Sequence, residues 1–375
     1  MKYISCFSGI GGLEGTSAPV QVCELDQDCR TVLSRKFPDA AIHDDIRTFR
    51  PSQVDVVAGG WPCQDISVAG NQAGLMGSRS SLLYELLRVS RECQAKTLIA
   101  ENVSNLLRMN GGNEFHSSLA AIHEAGFPFI SWRVFNARDF GLPQHRTRLI
   151  LVGSKTREVS NSLFRDVPQN LDMAVDVAKS TRAAGFYWTA GTHSINYSRG
   201  YTPTVKVGSS LSIPSPPAIH YGDIVRLLSP SEALRLQGFT LDPFEGIAAS
   251  SVYRMAGNAV ARPLGKWVFD GVANGLQPER LPTSPGDHRW LIPSCASYLS
   301  VGMSIDGVAE SYPPPATVRG AVNLIDFIEQ DSEQRLSPRA AQGLLRRLSK
   351  SGQVVPLELR SVLEAVSTAM GGICD

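Results

Sequence analysis

Short apolar runs alternate with segments of helical periodicity over the first part of the chain. The runs, each bounded by turn residues as buried strands are, lie at residues 3–7, 19–24, 54–58, 97–100, 130–135 and 149–153. Segments with apolar residues at helical spacing lie at 28–37, 80–94 and 114–125. Strands that alternate with helices predict a doubly wound, mostly parallel α/β sheet, which binds ligands at the carboxyl ends of its strands.

The alternation stops after residue 154, where Pro, Gly, Ser and Thr become more frequent. Two short β-like pieces follow, at 185–189 and 204–207. A helix is predicted from Pro230, with Ser229 as its cap, and another at 262–272. A Pro-rich linker then leads to two helices at 338–350 and 357–370, which predict a helical hairpin in the tail.

The composition is that of an ordinary globular protein, with 43% hydrophobic and 19% charged residues. The net charge of +1 excludes a global basic field, so a surface for nucleic acid must be a local patch. Seven cysteines without CxxC or Cys/His pairing indicate a reducing compartment and argue against a zinc site. We therefore expect no bound metal. Because the sequence has no targeting pattern and no apolar run of membrane-spanning length, we also expect a cytoplasmic protein.

The segment GGWPCQDIS, residues 59–67, places a cysteine on a loop at the carboxyl end of a predicted strand. Pro62 fixes the backbone beside Cys63. A thiolate is a strong nucleophile, so Cys63 is a candidate for covalent catalysis. The alternative is a small buried core cysteine, which is the commoner case for a cysteine taken alone.

A glycine-rich turn, FSGIGGLEG at residues 7–15, follows the first strand and lets a ligand approach the main chain closely. Glu24 ends the second predicted strand, and Asp45 follows a further short strand that ends before His43. Acids at successive strand ends suit an adenosine-type ligand, with Glu24 at the ribose and Asp45 near the adenine. Each acid taken alone is more often a solvated loop carboxylate. Glu101 ends a neighbouring strand and is expected to face the same cleft as Cys63.

Six sequence blocks occur in a fixed order: FSGIGG (7–12), PCQ (62–64), ENV (101–103), QHRTR (144–148), RLQGF (235–239) and GNAV (257–260). In this content and order the chain closely resembles the bacterial and phage cytosine-C5 DNA methyltransferases, which use S-adenosylmethionine. The resemblance implies a Rossmann-like methyltransferase domain with a small, irregular β-rich target-recognition domain. The C-terminal, mainly helical extension lies outside it. The implied domains are 1–154, completed by 223–275, for catalysis; 155–222 for recognition; and 276–375 for the extension.

The resemblance implies methyl transfer to C5 of a cytosine flipped out of duplex DNA, because C6 cannot be reached inside the base stack. Cys63 would attack C6 while Glu101, partly protonated, binds or protonates N3. Asn102 would orient the loop that carries Cys63. Arg146 and Arg148 would hold the catalytic acid, the flipped base and phosphates. Pro62 and Gln64 complete the implied catalytic set.

Two positions of the implied cofactor site depart from the family pattern. Leu25 stands where an aromatic residue often packs on adenine, and Ala259 where serine is common, so both predict weaker contacts with the same cofactor. The implied S-adenosylmethionine contacts are Phe7, Gly9, Ile10, Gly11, Gly12, Glu24, Leu25, Asp45, Ile46, Leu82, Asn258, Ala259 and Val260.

The Gly- and Ser-rich segment 66–80 is expected to close over the extruded base, the alternative being a disordered surface loop. The partner implied is double-stranded DNA, bound by a monomer, with a cognate restriction endonuclease acting separately and no membrane involved. Candidate DNA contacts are Ser67, Gln72, Arg79, Arg182, Arg199, Lys206 and His220.

The tail hairpin is basic along its first helix, which has no acid. The basic residues are Arg335, Arg339, Arg346, Arg347 and Lys350. Such a pattern is typical of a phosphate-contacting appendage, but a packing domain with a solvated charged face explains it slightly better.

Two other functions remain open at this stage. One is methylation of cytosine in tRNA by a member of the same family, for which the sequence lacks a clear signal. The other is a catalytically silent DNA-binding relative, which the intact Cys63, Glu101 and Arg146 argue against.

Overall fold

The computed structural model describes residues 1–62, 81–167, 183–187, 197–206, 217–278, 300–304, 308–312, 323–331, 335–351 and 355–368. The chain divides into two compact units. The first comprises Met1–Asn136, Thr147–Pro168 and Ala259–Thr317, and the second Ala137–Arg146, Gln169–Asn258 and Val318–Asp375. The functional domain boundaries expected from the sequence stay a prediction.

The first unit contains a sheet of seven strands in the order β3-β2-β1-β4-β5-β7-β6. Its strands are β1 (Tyr3–Cys6), β2 (Gln21–Cys23), β3 (Ala41–His43), β4 (Val56–Gly60), β5 (Thr97–Val103), β6 (Phe129–Asn136) and β7 (Thr147–Ser154). Only β7 among them runs antiparallel to its neighbours, β5 and β6. The sheet is therefore mostly parallel, as the alternation of strands and helices predicts.

Helices lie close to every predicted position, and two more, Arg157–Asn161 and Ala249–Asn258, were not predicted. They are α1 (Gln27–Lys36), α2 (Ser81–Glu92), α3 (Asn113–Glu124), α4 (Arg157–Asn161), α5 (Pro230–Arg235), α6 (Ala249–Asn258), α7 (Arg262–Ala273), α8 (Pro338–Ser351) and α9 (Leu357–Thr368). Short 3-10 helices lie at Ser104–Leu107, Met109–Gly112, Ala137–Phe140, Ser162–Phe164, Asp242–Phe244 and Leu324–Asp326. Ser229 caps α5 in a capping box with Glu232, and Pro230 takes the first helical position as predicted.

The core of the first unit lies between the sheet and its helices. α7 packs against the start of the chain, with the rings of Phe269 and Tyr3 4.2 Å apart. Gly265 in α7 faces the main chain of Gly12, where a side chain would collide with the Gly12 carbonyl. The helix that follows the last family-like block thus returns to the first strand.

The second unit contains an antiparallel sheet in the order β11-β10-β8-β9. Its strands are β8 (Ala183–Phe186), β9 (Tyr197–Arg199), β10 (Ala218–Tyr221) and β11 (Ile224–Leu227). A separate pair, β12 (Ser300–Ser304) and β13 (Val308–Tyr312), belongs to the first unit.

The predicted β-like piece at 204–207 is wrong over its described part, 204–206, which lies in no strand. Its polar groups are bonded elsewhere: the Val205 N–H donates to Oε1 of Gln144 at 2.9 Å, and the Thr204 hydroxyl donates to the His145 carbonyl at 2.7 Å. A β-branched pattern therefore does not make a strand here, because a buried side-chain amide replaces the neighbouring strand.

Candidate active site

Glu101 lies at the end of the sheet from which the Cys63 segment departs. β4 ends at Gly60, and β5 pairs with it in register so that Gly60 stands opposite Glu101. A Cβ at Gly60 would lie 2.6 Å from Oε2 of Glu101, so the glycine leaves the space that the carboxyl group occupies. The sequence places Cys63 shortly after this point, although Cys63 and Gln64 lie outside the described residues.

Glu101 is held by an ion pair within the sheet. Nε of Arg148, on β7, lies 2.9 Å from Oε1 of Glu101, and both side chains are about nine-tenths buried. Burial lowers the pKa of Arg148, and the Glu101 carboxylate opposes that shift. A nearby cation stabilises the charged form of a carboxyl group, and the partial protonation expected of Glu101 stays a prediction.

Asn102 fastens the segment between β4 and Cys63. Its Nδ2 donates to the carbonyl of Trp61 at 3.2 Å, and its Oδ1 accepts the N–H of Val103 at 2.8 Å. Trp61 is itself buried in the apolar core, whereas Pro62 is exposed. The contact agrees with the predicted orienting role of Asn102, which stays a prediction because Cys63 is not described.

Arg146 is a buried main-chain clamp of the second unit. Its guanidinium donates to the carbonyls of Val205 at 3.0 Å and Gly257 at 2.9 Å, and the side chain is almost completely enclosed. Gln144 adds a bond from Nε2 to the Leu236 carbonyl, 2.8 Å long. Residues of the family-like sequence blocks thus make structural contacts that could not be predicted from the sequence. The predicted contacts of Arg146 with the base and phosphates stay a prediction.

The turn after β1 has an unusual backbone. Phe7 has a φ of 52°, in the left-handed region that costs a bulky residue about 1–3 kcal/mol and occurs mainly at functional sites. Gly9 and Gly11 also have positive φ. A Cβ at Gly9 would meet nothing within 4 Å, whereas one at Gly12 would collide with the carbonyl oxygen of Val260. The turn therefore has open space beside Gly9, whereas the main chain of Val260 packs against it at Gly12.

Glu24 joins this turn to the end of β2. Its Oε2 accepts the N–H of Gly9 at 2.7 Å, and its Oε1 accepts the N–H of Asp26 at 2.8 Å. Burial raises the pKa of Glu24, while the two N–H donors oppose the shift. Each oxygen keeps a second lone pair, so Glu24 can hold the turn and still accept ribose hydroxyls. The residues present therefore fit an adenosine-type cofactor.

The other implied cofactor residues differ in exposure. Leu25 is 71% exposed beside Glu24, which leaves an apolar surface at the end of β2. Asp45 is held by Arg47, whose Nε lies 2.9 Å from Oδ1, and these hydrogen bonds lower the pKa of Asp45. Buried residues of the set are Ile10, Ile46, Ala259 and Val260; Leu82 is half-buried, and Asn258 is exposed. Their roles toward a cofactor stay predictions.

Lys36 is a residue of this region that sequence reasoning missed. It ends α1, and its Nζ donates to the carbonyls of Ile10 at 2.7 Å and Gly11 at 2.9 Å. Burial lowers its pKa to about 8, although the buried Glu14 carboxylate nearby opposes the shift. A lysine at the end of a predicted helix gives no signal of such a contact, because the pattern does not show which turn the helix packs against.

The folded protein is expected to gain stability from Lys36 as the pH rises from about 8 to 10.5. In that window the folded state keeps the amine neutral while the unfolded chain still binds the proton, so the cost of burying a charge disappears. Urea unfolding of wild type and Lys36→Met at several pH values should show the difference in unfolding free energy growing by on the order of 2 kcal/mol in favour of wild type. The same difference in unfolding free energy at every pH would contradict the lowered pKa of Lys36.

Several candidate DNA contacts already have partners in the second unit. Arg199 forms an ion pair with Glu358, 3.0 Å long. Nζ of Lys206 lies 4.1 Å from the ring centroid of Tyr187, and burial lowers the pKa of Lys206. His220 is buried, with Nδ1 2.8 Å from the Tyr197 hydroxyl. Ser67, Gln72, Arg79 and Arg182, and the predicted closing segment 66–80, lie outside the described residues.

Within the described part of the chain, no group of three or more His, Cys, Asp or Glu side chains is placed to hold a metal ion. Among the same residues, no helix is both long and apolar enough to cross a bilayer.

The fold is that of known methyltransferases. The Entamoeba histolytica methyltransferase EhMeth superposes with a TM-score of 0.53 at 15% identity, over 74% of this chain and 99% of that one. The Schizosaccharomyces pombe Dnmt2 methyltransferase gives 0.51 at 14% identity, over 74% and 98%. At these identities the likeness shows the fold alone, and it confirms the predicted fold class.

Sequence comparison narrows this class to one family. Residues 1–184 match the model of the C-5 cytosine-specific DNA methylases. The type II methyltransferase M2.BsuMI of Bacillus subtilis is 36% identical over 296 residues, 73% of this chain and 75% of the relative. M.NgoBI of Neisseria gonorrhoeae is 30% identical over 70% of this chain and 90% of the relative. The chain belongs to the C-5 cytosine-specific DNA methylase family, and is a DNA cytosine-5 methyltransferase, as its sequence blocks predict.

Proposed function

We propose that this enzyme methylates C5 of a flipped cytosine within one short sequence of duplex DNA, through a covalent bond between Cys63 and C6. The observation that carries the proposal is the buried pair of Glu101 and Arg148, which lies opposite Gly60 at the end of the strand that leads to Cys63. In this proposal the acid, held in a fixed orientation by Arg148, acts on the same base as the nucleophile on the segment that follows Gly60.

The chemistry explains why both groups are needed. Cytosine C5 is too weak a nucleophile to take a methyl group unaided. Addition of the Cys63 thiolate to C6 makes an enamine, while Glu101 draws charge from the ring by binding or protonating N3. C5 then accepts the methyl group, loses its proton to water, and the ring expels the thiolate. Asn102 keeps the approach of Cys63 fixed through its bond to Trp61.

The methyl donor in this proposal is S-adenosylmethionine, which supplies an electrophilic methyl group bound to a sulfonium. Glu24 would accept the ribose hydroxyls and keep the glycine turn in place through Gly9. Leu25 would offer an apolar surface to the adenine, in place of a stacked aromatic ring. Asp45 and Ile46 would lie at the adenine edge.

The relatives named type II methyltransferases suggest a protective role. We infer that this enzyme modifies a short recognition sequence in its own DNA, beside a restriction endonuclease that acts separately on the unmodified sequence. The antiparallel sheet of the second unit and the segments around it would carry the recognition residues. Binding as a monomer is expected.

Bisulfite sequencing of DNA from cells that express the chain tests this function, with Cys63→Ser as the inactive control. We expect protected cytosines in one short context, and their loss in the control. Methyl transfer to tRNA but not to duplex DNA would overturn the choice of substrate. Failure of the purified enzyme to form a covalent complex with duplex DNA containing 5-fluorocytosine would instead support a catalytically silent DNA-binding protein.

A further inference from the structure

The tail hairpin, α8 and α9, is fixed to the antiparallel sheet of the second unit. Its apolar side forms one buried cluster with residues of that sheet. The cluster includes Phe186, Ala218 and Val225 from the sheet, Leu336 directly before the hairpin, and Ala341, Leu344, Leu348, Leu359 and Leu363 from the hairpin. The hairpin is therefore an integral layer of this unit, covering one face of its sheet.

Polar contacts fix the position of the hairpin further. The N–H of Leu336 donates to the Val225 carbonyl of β11 at 2.8 Å, immediately before α8 begins. On the opposite edge of the sheet, Arg199 of β9 pairs with Glu358 of α9. A hairpin attached at both edges presents its outer surface in a fixed orientation on the unit.

That outer surface carries a basic stripe, which we define as Arg339, Arg346 and Lys350. Spacings of seven and four residues place the three on one side of α8. All three side chains are exposed, and they lie opposite the buried Ala341, Leu344 and Leu348. Over eleven residues the stripe extends about 16 Å, close to the rise of five base pairs of DNA.

The stripe lacks the counter-charges that usually accompany a solvated helix face. α8 contains no acidic residue, so intrahelical ion pairs cannot form. No ion pair joins any of the three side chains to another residue in the described ranges. Gly343 lies between Arg339 and Arg346, and a Cβ there would meet nothing within 4 Å. In the middle of the stripe, no described residue closes the surface to a ligand.

We propose that the basic stripe binds phosphates of duplex DNA without reading its sequence, and so adds affinity beside the recognition residues. DNA is the polyanion on which this family acts, and a row of basic side chains on a fixed helix fits its regular backbone charge. The proposal rests on the proposed function only in taking DNA as the partner. Binding needs no methyl transfer, so the two can fail independently.

Fluorescence anisotropy with a non-specific duplex of about 40 base pairs, between about 50 and 200 mM salt, tests the stripe. The variant replaces Arg339, Arg346 and Lys350 with Gln. The control removes the same charge from exposed positions of the first unit, as Arg35→Gln, Arg91→Gln and Lys96→Gln. We expect about 10-fold weaker binding for the stripe variant, with its log-log salt slope reduced by about two to three. The control should change affinity by about 2-fold or less through net charge alone.

A gain of affinity provides a second test that misfolding cannot imitate. Gly343→Lys adds a charge within the stripe, in open space, and also removes a helix-weakening glycine. We expect it to tighten binding about 3-fold, while Ser361→Lys, on the exposed face of α9, leaves binding unchanged. Equal losses in the two triple variants, or no gain from Gly343→Lys, would show a merely solvated face and overturn the proposal.

Discussion

Replacing Glu101 with glutamine is expected to lower the rate constant for methyl transfer by about 10²–10⁴-fold. Glutamine keeps the shape of the side chain and can still donate a hydrogen bond, but it cannot supply a proton to N3. It also leaves the buried Arg148 without its counter-charge. The loss should therefore appear in the chemical step, when the ring must accept electrons from the thiolate.

Single-turnover methylation of duplex DNA that contains the recognised sequence measures this step. Calorimetric binding of S-adenosylhomocysteine should stay unchanged, which separates catalysis from folding and cofactor binding. Glu124→Gln removes an exposed acid at the end of α3 and is expected to leave the rate constant unaltered. A Glu101→Gln enzyme within about 3-fold of wild type would remove Glu101 from the mechanism.

Arg148→Lys tests the other side chain of the Glu101–Arg148 ion pair. Lysine keeps the charge but replaces a planar guanidinium with a point charge on a flexible stem, so the carboxyl group loses its fixed orientation. We expect a rate between those of wild type and Glu101→Gln. A rate equal to wild type would show that charge alone, rather than orientation, is what Arg148 supplies.

Much of the sheet was predictable, because its signals are local. Short apolar runs mark strands, and the cap at Ser229 with Pro230 marks the start of α5 within one residue. The candidate site follows in part from the same pattern, because parallel strands end at one edge, where the segment before Cys63 and Glu101 were both expected. The register that sets Gly60 opposite Glu101 is known only from the structure.

Contacts between distant segments could not be predicted in this way. Arg146 and Gln144 bind main-chain carbonyls that lie far away in sequence, and a motif identifies such residues without showing their partners. The tail hairpin presents the same difficulty. Its periodicity predicts an apolar side, but not that Phe186 and Val225 of the antiparallel sheet would cover it.

The buried pair of Arg226 and Glu232 gives the largest expected effect on stability. Both side chains are fully enclosed, and their two contacts measure 2.6 Å and 2.8 Å. Glu232 also accepts the N–H of Ser229 and of Glu329, each at 2.6 Å, so one carboxylate ties β11, the start of α5 and the segment before the tail hairpin together. Removing either charge leaves the other buried and unpaired. Arg226→Met or Glu232→Gln should each lower the free energy of unfolding by about 3–5 kcal/mol.

The double variant should cost less than the sum of the two single variants, because the second substitution removes the charge that the first leaves unpaired. Urea unfolding of the four proteins, followed by circular dichroism, gives this coupling directly. Lys266→Met, which removes one partner of a half-exposed ion pair with Asp270, is the control and should cost about 1 kcal/mol or less. Simple additivity would mean that the two side chains stabilise the unit through their separate main-chain bonds. In that case Glu232 would act mainly as the cap of α5 and as the anchor of Glu329, and Arg226 mainly through its 2.7 Å bond to the Glu329 carbonyl.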